Sequence, residues 1–476
     1  MLSVSRVRRN SFFVLVGQSV RMASTALVFV IVARAYGPLE FGSYTAAHTL
    51  ATIFLLVADF GFDILLTWEV GRRQDKVQAI VSRYLSAKLV VSAAATIAMA
   101  VLGMILEVSP LTRTLILVLS GSVFFSAMVN FFVALFRGIE QFQYESWISL
   151  AANGVLLLAT GVAAVLKAPV WAVGALFVLS RALAVLIASL LGVRLGAVRR
   201  VEWFLPGRTE LRRIGVFGVH AIFATLFFTQ DTLLLALWRG DTQVGVYQAA
   251  FKLVGLLFLL PDVLMTAVFP SLAKAHEDDR SRWKRAGILL QKALFAIGVT
   301  LSLMLLAAPD IVIRVVYGSA AFDDSIAVLR IFSVAVFVHC ATISFAVMLT
   351  TSGRHAVRMI VVVCATVFNF SLNAVLIPQL GTTGAAIASV STLIAVGLGY
   401  VLPVRALFVE WISERRVYLT LVAGVVLGGI TVMMRAHAGW VVLPAGFLLC
   451  AMVMWQSLSP TERQALLGRD LAGVSP

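Results

Sequence analysis

Charged side chains stranded in long apolar runs are the residues of this sequence that could do chemistry. Arg21, Asp59, Asp63, Lys88, Arg181, Asp231, Lys252 and Asp262 stand in such runs, with His48, His220 and His339. A charge in the middle of a membrane span costs about 2.5–3.5 kcal/mol on insertion scales, so such groups face a bundle interior or a wet cavity. The bases Arg21, Lys88, Arg181 and Lys252 suit an anionic group stripped of its water. The carboxylates Asp59, Asp63, Asp231 and Asp262, with His48 and His220, suit the binding of a coupling proton or cation. The competing interpretation is that buried ions pair and only hold helices together. It is strongest for Asp231 and Lys252, each about ten residues from the turn near Asp241 and so about 15 Å deep at a helical rise. Lys292 and Arg330, near span ends, can snorkel to the surface.

The elements that carry these residues follow from composition. The chain is 61% hydrophobic and 13% charged, with a mean hydropathy of +0.98. A soluble chain is about a quarter charged, whereas runs such as VVSAAATIAMAVLGMIL (90–106) repeat throughout this one. Windows of about 19 residues predict an all-α, polytopic membrane protein of about 14 transmembrane helices. Their limits are 12–35, 41–66, 80–106, 112–136, 144–166, 169–194, 214–238, 244–269, 285–308, 325–350, 357–377, 382–403, 417–435 and 439–456. The first run follows RVRRN but is span-length and ends in YGPLE, so no cleavable signal is expected. Cys340, Cys364 and Cys450 fall in predicted spans without metal or disulfide spacing.

Charge sets the orientation. With the N-terminus inside, the outer turns hold only Arg34, Arg113, Lys167, Arg239, Arg314 and Arg435, and the opposite loops and tails about 26 bases, so both termini are expected in the cytoplasm. This bias accounts for most of the net charge of +15 without a nucleic-acid partner.

A repeat organises the spans. GSYTAA (42–47) returns as GVYQAA (245–250), an offset of 245 − 42 = 203, and Asp59 falls on Asp262 at the same offset. A looser echo links VGALF (173–177) with TGAAI (383–387). The expected organisation is a six-helix lobe at 1–196, a cytoplasmic linker at 197–213, a second six-helix lobe at 214–405, and an additional helix pair with tail at 406–476. Even-numbered units form parallel repeats about a pseudo-twofold axis along the membrane normal, with a cavity between them and alternating access by rocking. His48, Thr52, Asp59 and Asp63 share one sector of the second predicted helix, and Gln248, Lys252, Gly255, Asp262 and Thr266 one of the eighth.

Enzymatic motifs do not appear. The sequence holds no G-x-x-x-x-G-K-[ST] and no H-E-x-x-H, and Asp278–Asp279 and Asp323–Asp324 read as solvated loop charge. Asn369 and Asn373, one turn apart, fit interhelical hydrogen bonding. No cofactor, metal or catalytic residue is expected.

Three blocks carry a family resemblance: ARAYGPLEFGSYTAA (33–47) with ADFGFD (58–63); QDTLLLALWRGDTQVGVYQAAFKLVGLLFLLPDVLMTAVFPSLAK (230–274); and LTTSGRHAVRMIVVVCATVFNFSLNAVLIPQLGTTGAAIAS (349–389). In these the chain resembles the oligosaccharide flippase (Wzx-type) branch of the multidrug/oligosaccharidyl-lipid/polysaccharide (MOP) exporter superfamily, over about its first 400 residues. The resemblance implies a two-lobed MATE-like bundle in the bacterial inner membrane. It would move an undecaprenyl-diphosphate-type lipid-linked oligosaccharide to the outer leaflet for surface polysaccharide synthesis, in contact with membrane lipids and with polymerase and chain-length machinery. Arg21, Lys88, Arg181 and Lys252 are then the positions to receive the diphosphate. Lipid II flippases share the fold, but their first hairpin departs from YGPLEFGSY. A MATE-type multidrug antiporter, whose cargo is mostly cationic, fits the mid-span bases less well. A membrane-embedded polymerase or glycosyltransferase would need a larger outer loop than any predicted here.

Overall fold

The computed structural model describes residues 4–197, 225–405, 426 and 455, with side chains from Gly17 onward except Gln18. His220, Cys450 and the expected helix pair at 417–456 lie outside the described residues, apart from Val426 and Trp455.

The described chain is helical and contains no strand. Its main helices are α1 (Val4–Asp59), α2 (Phe62–Arg72), α3 (Val77–Ile105), α4 (Pro110–Gly138), α5 (Phe142–Val165), α6 (Val170–Arg194), α7 (residues 225–238), α8 (Asp241–Asp278), α9 (Arg280–Ala307), α10 (Pro309–Tyr317), α11 (Asp324–Thr351), α12 (His355–Leu380) and α13 (Thr382–Val401). Among the described residues, 10 stretches are long and apolar enough to cross a membrane. One of them, Ser19–Arg72, covers most of the first expected span and all of the second. A left-handed Gly37 (φ 72°) ahead of Pro38 interrupts α1, and the ring of Phe29 then meets Phe41, Tyr44 and His48 at centroid distances of 6.3, 6.0 and 5.4 Å. The two halves of α1 are therefore a hairpin turned in one residue.

The second expected helix, 41–66, is not continuous. It breaks at Phe60 (φ 32°) and Gly61 (φ 82°), so Asp59 ends α1 while Asp63 opens α2. A left-handed backbone costs a side chain about 1–2 kcal/mol, and Gly61 relieves half of that cost at this pair.

Two compact units divide the chain, Met1–Gln248 and Ala249–Pro476. In unit 1, α1 packs on α4 and α5, and α4 on α3 and α6; its core gathers Phe62, Leu66, Tyr84, Phe131, Leu135 and Phe136. Ser109 caps α4, accepting from the Thr112 amide at 3.1 Å, with Pro110 next in sequence, the order in which a cap and a pre-set φ start a helix. The boundary falls inside α8 because its first two turns pack on α1 and α4. A Cβ on Gly42 would lie 1.8 Å from the carbonyl oxygen of Asp241, and one on Gly245 would lie 1.9 Å from that of Pro38. The partners obey the repeat, since 241 − 38 = 245 − 42 = 203, so GSYTAA and GVYQAA pack reciprocally, backbone on backbone. Tyr44 and Tyr247 are both fully buried beside them.

In unit 2, α11 packs on α9 and α13, and α12 on α13. Small residues and amides do the joining, as expected where lipid removes the hydrophobic drive between helices. Gln291 donates to the Ala341 carbonyl at 2.5 Å and accepts from Ser344. Asn369 donates to Thr392 across the α12–α13 contact at 3.1 Å, and Asn373 to Asn369 at 2.9 Å.

Candidate functional site

Unit 1 holds a cavity of about 640 Å³ lined by α1, α2, α4, α5 and α6. Its charged lining is Arg21, Asp63, Arg137, Glu145 and Arg181, with Asn130, Ser149 and Asn153 between them. Arg21, on the first half of α1, is exposed. Arg181 is held by neutral groups: Asn153 Oδ1 accepts from its Nη2 at 2.9 Å, and the guanidinium lies 4.9 Å from the Phe177 ring centroid. Asn153 is itself fixed by donating to the Ser149 carbonyl at 2.8 Å. Among the described residues, no carboxylate lies within 4.0 Å of Arg21 or Arg181. Guanidiniums whose charge is uncompensated suit phosphate, which their fork binds in two-point fashion.

The other charges on the wall already have ionic partners. Arg137, in the last turn of α4, donates Nε and Nη2 to both oxygens of Glu145 in the first turn of α5, at 2.7 and 2.5 Å. Lys88, with no exposed surface, sits between Asp59 at 2.7 Å and Asp63 at 3.1 Å, and Asn130 donates to the second oxygen of Asp59 at 2.7 Å. Lys88 therefore stands behind the wall with two carboxylates, and only Asp63 of this triad reaches the cavity. The break at Phe60–Gly61 brings the two carboxylates onto one ammonium from separate helices.

The remaining expected residues lie elsewhere. His48 packs among Phe29, Tyr44 and Phe177, with ring centroids 5.2–6.1 Å away. Asp231 is buried and accepts from Tyr247 Oη at 2.7 Å, beside the bond from Gln248 to Thr232. Lys252 is on α8 in unit 2, half-buried. Asp262, also in unit 2, lies 3.1 Å from His339 Nε2, and the His339 ring stacks on Phe258 at 4.2 Å. Cys340 is buried and Cys364 exposed. Among the described residues no cluster could hold a metal ion.

Sequence reasoning missed Arg137, Glu145, Asn130 and Asn153. The signal for the first two was there: a base in the last turn of one helix and an acid in the first turn of the next, across a short turn, complement both helix dipoles. The amides gave no signal, because one Asn in an apolar run does not reveal what it faces.

An all-α bundle of long apolar helices with a basic cavity in its first unit has the form of a multi-pass membrane protein of the transporter class. Solved structures share the fold. The inward-closed lipid II flippase MurJ matches with a TM-score of 0.74 at 13% identity, over 96% of this chain and 99% of that one. An inward-facing multidrug resistance MATE transporter of the MOP superfamily matches at 0.67 and 15% identity, over 84% and 99%. Within that class the sequence is specific: the polysaccharide biosynthesis protein profile matches residues 7–276, and the MatE profile residues 217–375. The chain belongs to the polysaccharide biosynthesis protein family. A putative O-antigen transporter of Escherichia coli K12 is 24% identical over 340 residues, 69% of this chain and 79% of that protein. The probable flippase AglR of Haloferax volcanii is 30% identical over 189 residues, 37% of each chain.

Proposed function

We propose that the chain is a flippase that carries a polyprenyl-diphosphate-linked oligosaccharide from the cytoplasmic to the outer leaflet of the bacterial inner membrane, supplying surface polysaccharide synthesis. The observation that carries this is the pair Arg21 and Arg181, two guanidiniums on one cavity wall with no carboxylate within 4.0 Å among the described residues. A diphosphate loses much hydration energy on leaving water, and fixed forked donors offset that loss. Arg137, tied to Glu145 when the cavity is empty, is the third donor, freed when the diphosphate competes for it. Ser149, Asn130 and Asn153, which line the cavity, are the proposed contacts for sugar hydroxyls, while the prenyl chain stays in lipid. The relatives' names support the cargo class; a cationic drug would meet uncompensated bases here.

Lys88 is proposed as an internal counter-ion, and Lys252, on α8, as a further anion contact. Asp59 and Asp63 share one lysine and so carry one surplus negative charge, the proposed site of a coupling proton. Asp231, Asp262, His48 and His220 are secondary candidates for that role. Both termini are cytoplasmic on this reading, with polymerase machinery on the outer side.

The test is complementation of a deletion strain without a redundant flippase. Arg21→Ala and Arg181→Ala are expected to cut surface glycan at least tenfold, with saccharide-lipid accumulating in the cytoplasmic leaflet and the protein present at normal levels. Wild-type export from both variants would overturn the cationic-cavity mechanism. A deletion that accumulates no saccharide-lipid would overturn the cargo.

A further inference from the structure

The first turn of α8 carries a carboxylate that the transport site does not use. Asp241 is buried, and its two oxygens accept from three hydroxyls on other helices. Ser43 and Ser109 reach Oδ2 at 2.9 and 2.5 Å, and Thr112 reaches Oδ1 at 2.8 Å. An aspartate that only capped its own helix would turn to the amides two or three residues on; this one ties α8 to α1 and to the start of α4.

The repeat supplies a control within the molecule. Shifted by 203, Asp241 corresponds to Pro38, and Ser43 to Val246. The reciprocal glycine contact itself needs no polar side chain, since Gly245 meets the backbone of Pro38 as Gly42 meets that of Asp241. The Asp241 carboxylate and the Ser43 hydroxyl are therefore added to a contact that is already close-packed, and their repeat counterparts, Pro38 and Val246, are apolar. Their chemistry also suits release. Hydroxyl donors hold a carboxylate firmly while water is excluded and exchange for water once it enters, whereas a lysine in their place would leave two charges to separate.

We propose that Asp241, with Ser43, Ser109 and Thr112, is a latch that closes one end of the bundle, and that this structure shows it engaged. The turns around Pro38, Ser109 and Gly240 each join an odd to an even span, so all three lie on one membrane face. That face is the outer one if the basic loops are cytoplasmic. The inference shares with the flippase reading only the premise that the helices rearrange. Its measurement needs no substrate, so its failure would leave the cargo assignment standing.

The test is labelling of one cysteine beneath the latch. Thr49, two turns from Gly42 on the same helix face and buried, becomes the reporter Thr49→Cys in full-length protein with Cys340, Cys364 and Cys450 replaced by Ala. Membrane-impermeant maleimide is applied to right-side-out and inverted vesicles. Asp241→Ala, Ser43→Ala with Thr112→Val, and Gly245→Ala are each expected to raise the initial labelling rate at least fivefold, from the latch side only. Ser333→Cys, buried in unit 2, should not change. If Asp241→Ala does not accumulate, the Ser43→Ala/Thr112→Val protein, which keeps every charge, decides. An unchanged rate in that protein, or an equal rise at Ser333→Cys, overturns the latch.

Discussion

Arg181 owes its usefulness to the neutrality of its neighbours. Asn153 and Phe177 fix the guanidinium without cancelling it, leaving its charge to whatever enters the cavity. Arg181→Lys keeps the charge and loses the fork and the stacking. Flipping of a fluorescent saccharide-lipid by reconstituted protein should fall roughly tenfold, about 1.4 kcal/mol, while Asn153→Ala should weaken binding with little change in thermal stability. Lys88 is the opposite kind of residue, a base already satisfied. Removing it strands two half-buried carboxylates, and breaking a fully buried pair costs about 3–5 kcal/mol. Lys88→Met should lower the melting temperature of the purified protein sharply, and adding Asp59→Asn should recover part of the loss. If Asp59 and Asp63 share a coupling proton, Asp59→Asn alone should make transport insensitive to an imposed pH gradient. Retained sensitivity would clear the triad of that role.

At the scale of the element, the break between α1 and α2 is what makes the triad possible. A straight helix places Asp59 and Asp63 one turn apart on the same face; the left-handed pair Phe60 and Gly61 lets them approach Lys88 from two helices. Gly61→Ala puts a Cβ at φ 82° and should destabilise by about 1–2 kcal/mol, seen as a lower melting temperature. It should also disturb transport more than an Ala substitution at Gly154, where an added Cβ would meet no atom of a neighbouring element within 4 Å. The break was not legible beforehand because FGF inside an apolar run satisfies a hydropathy window equally well bent or straight. The turn at Gly37–Pro38 was legible, since YGPLE combines a residue suited to positive φ with one that cannot continue a helix.

For the whole molecule, the sequence carried the class, most of the spans and the repeat, because these rest on run length and offset. The GSYTAA and GVYQAA copies even marked the close contact that relates them, glycine on backbone. The cavity was only half legible. Arg21 and Arg181 announced themselves as charges in apolar surroundings, but that Lys88 is neutralised and Arg181 is not depends on distances that no one-dimensional pattern encodes. Orientation belongs to this scale as well. Alkaline phosphatase fused after Glu107 or Gly240 should be active and after Lys76 or Asp279 inactive, checked by colony colour and specific activity. The reverse pattern would invert the membrane orientation and move the latch to the cytoplasmic face.

The two uncompensated arginines have an electrical consequence. One elementary charge crossing the full membrane potential is worth about 2.3 kcal/mol per 100 mV. An empty carrier that shifts Arg21 and Arg181 through part of that field does work against the voltage or draws work from it. With the proposed coupling proton on the Asp59–Asp63–Lys88 triad, a carrier holding a doubly charged diphosphate between the arginines moves almost no net charge. Voltage would then bias the unloaded return far more than the loaded crossing, making the resting potential itself a source of direction.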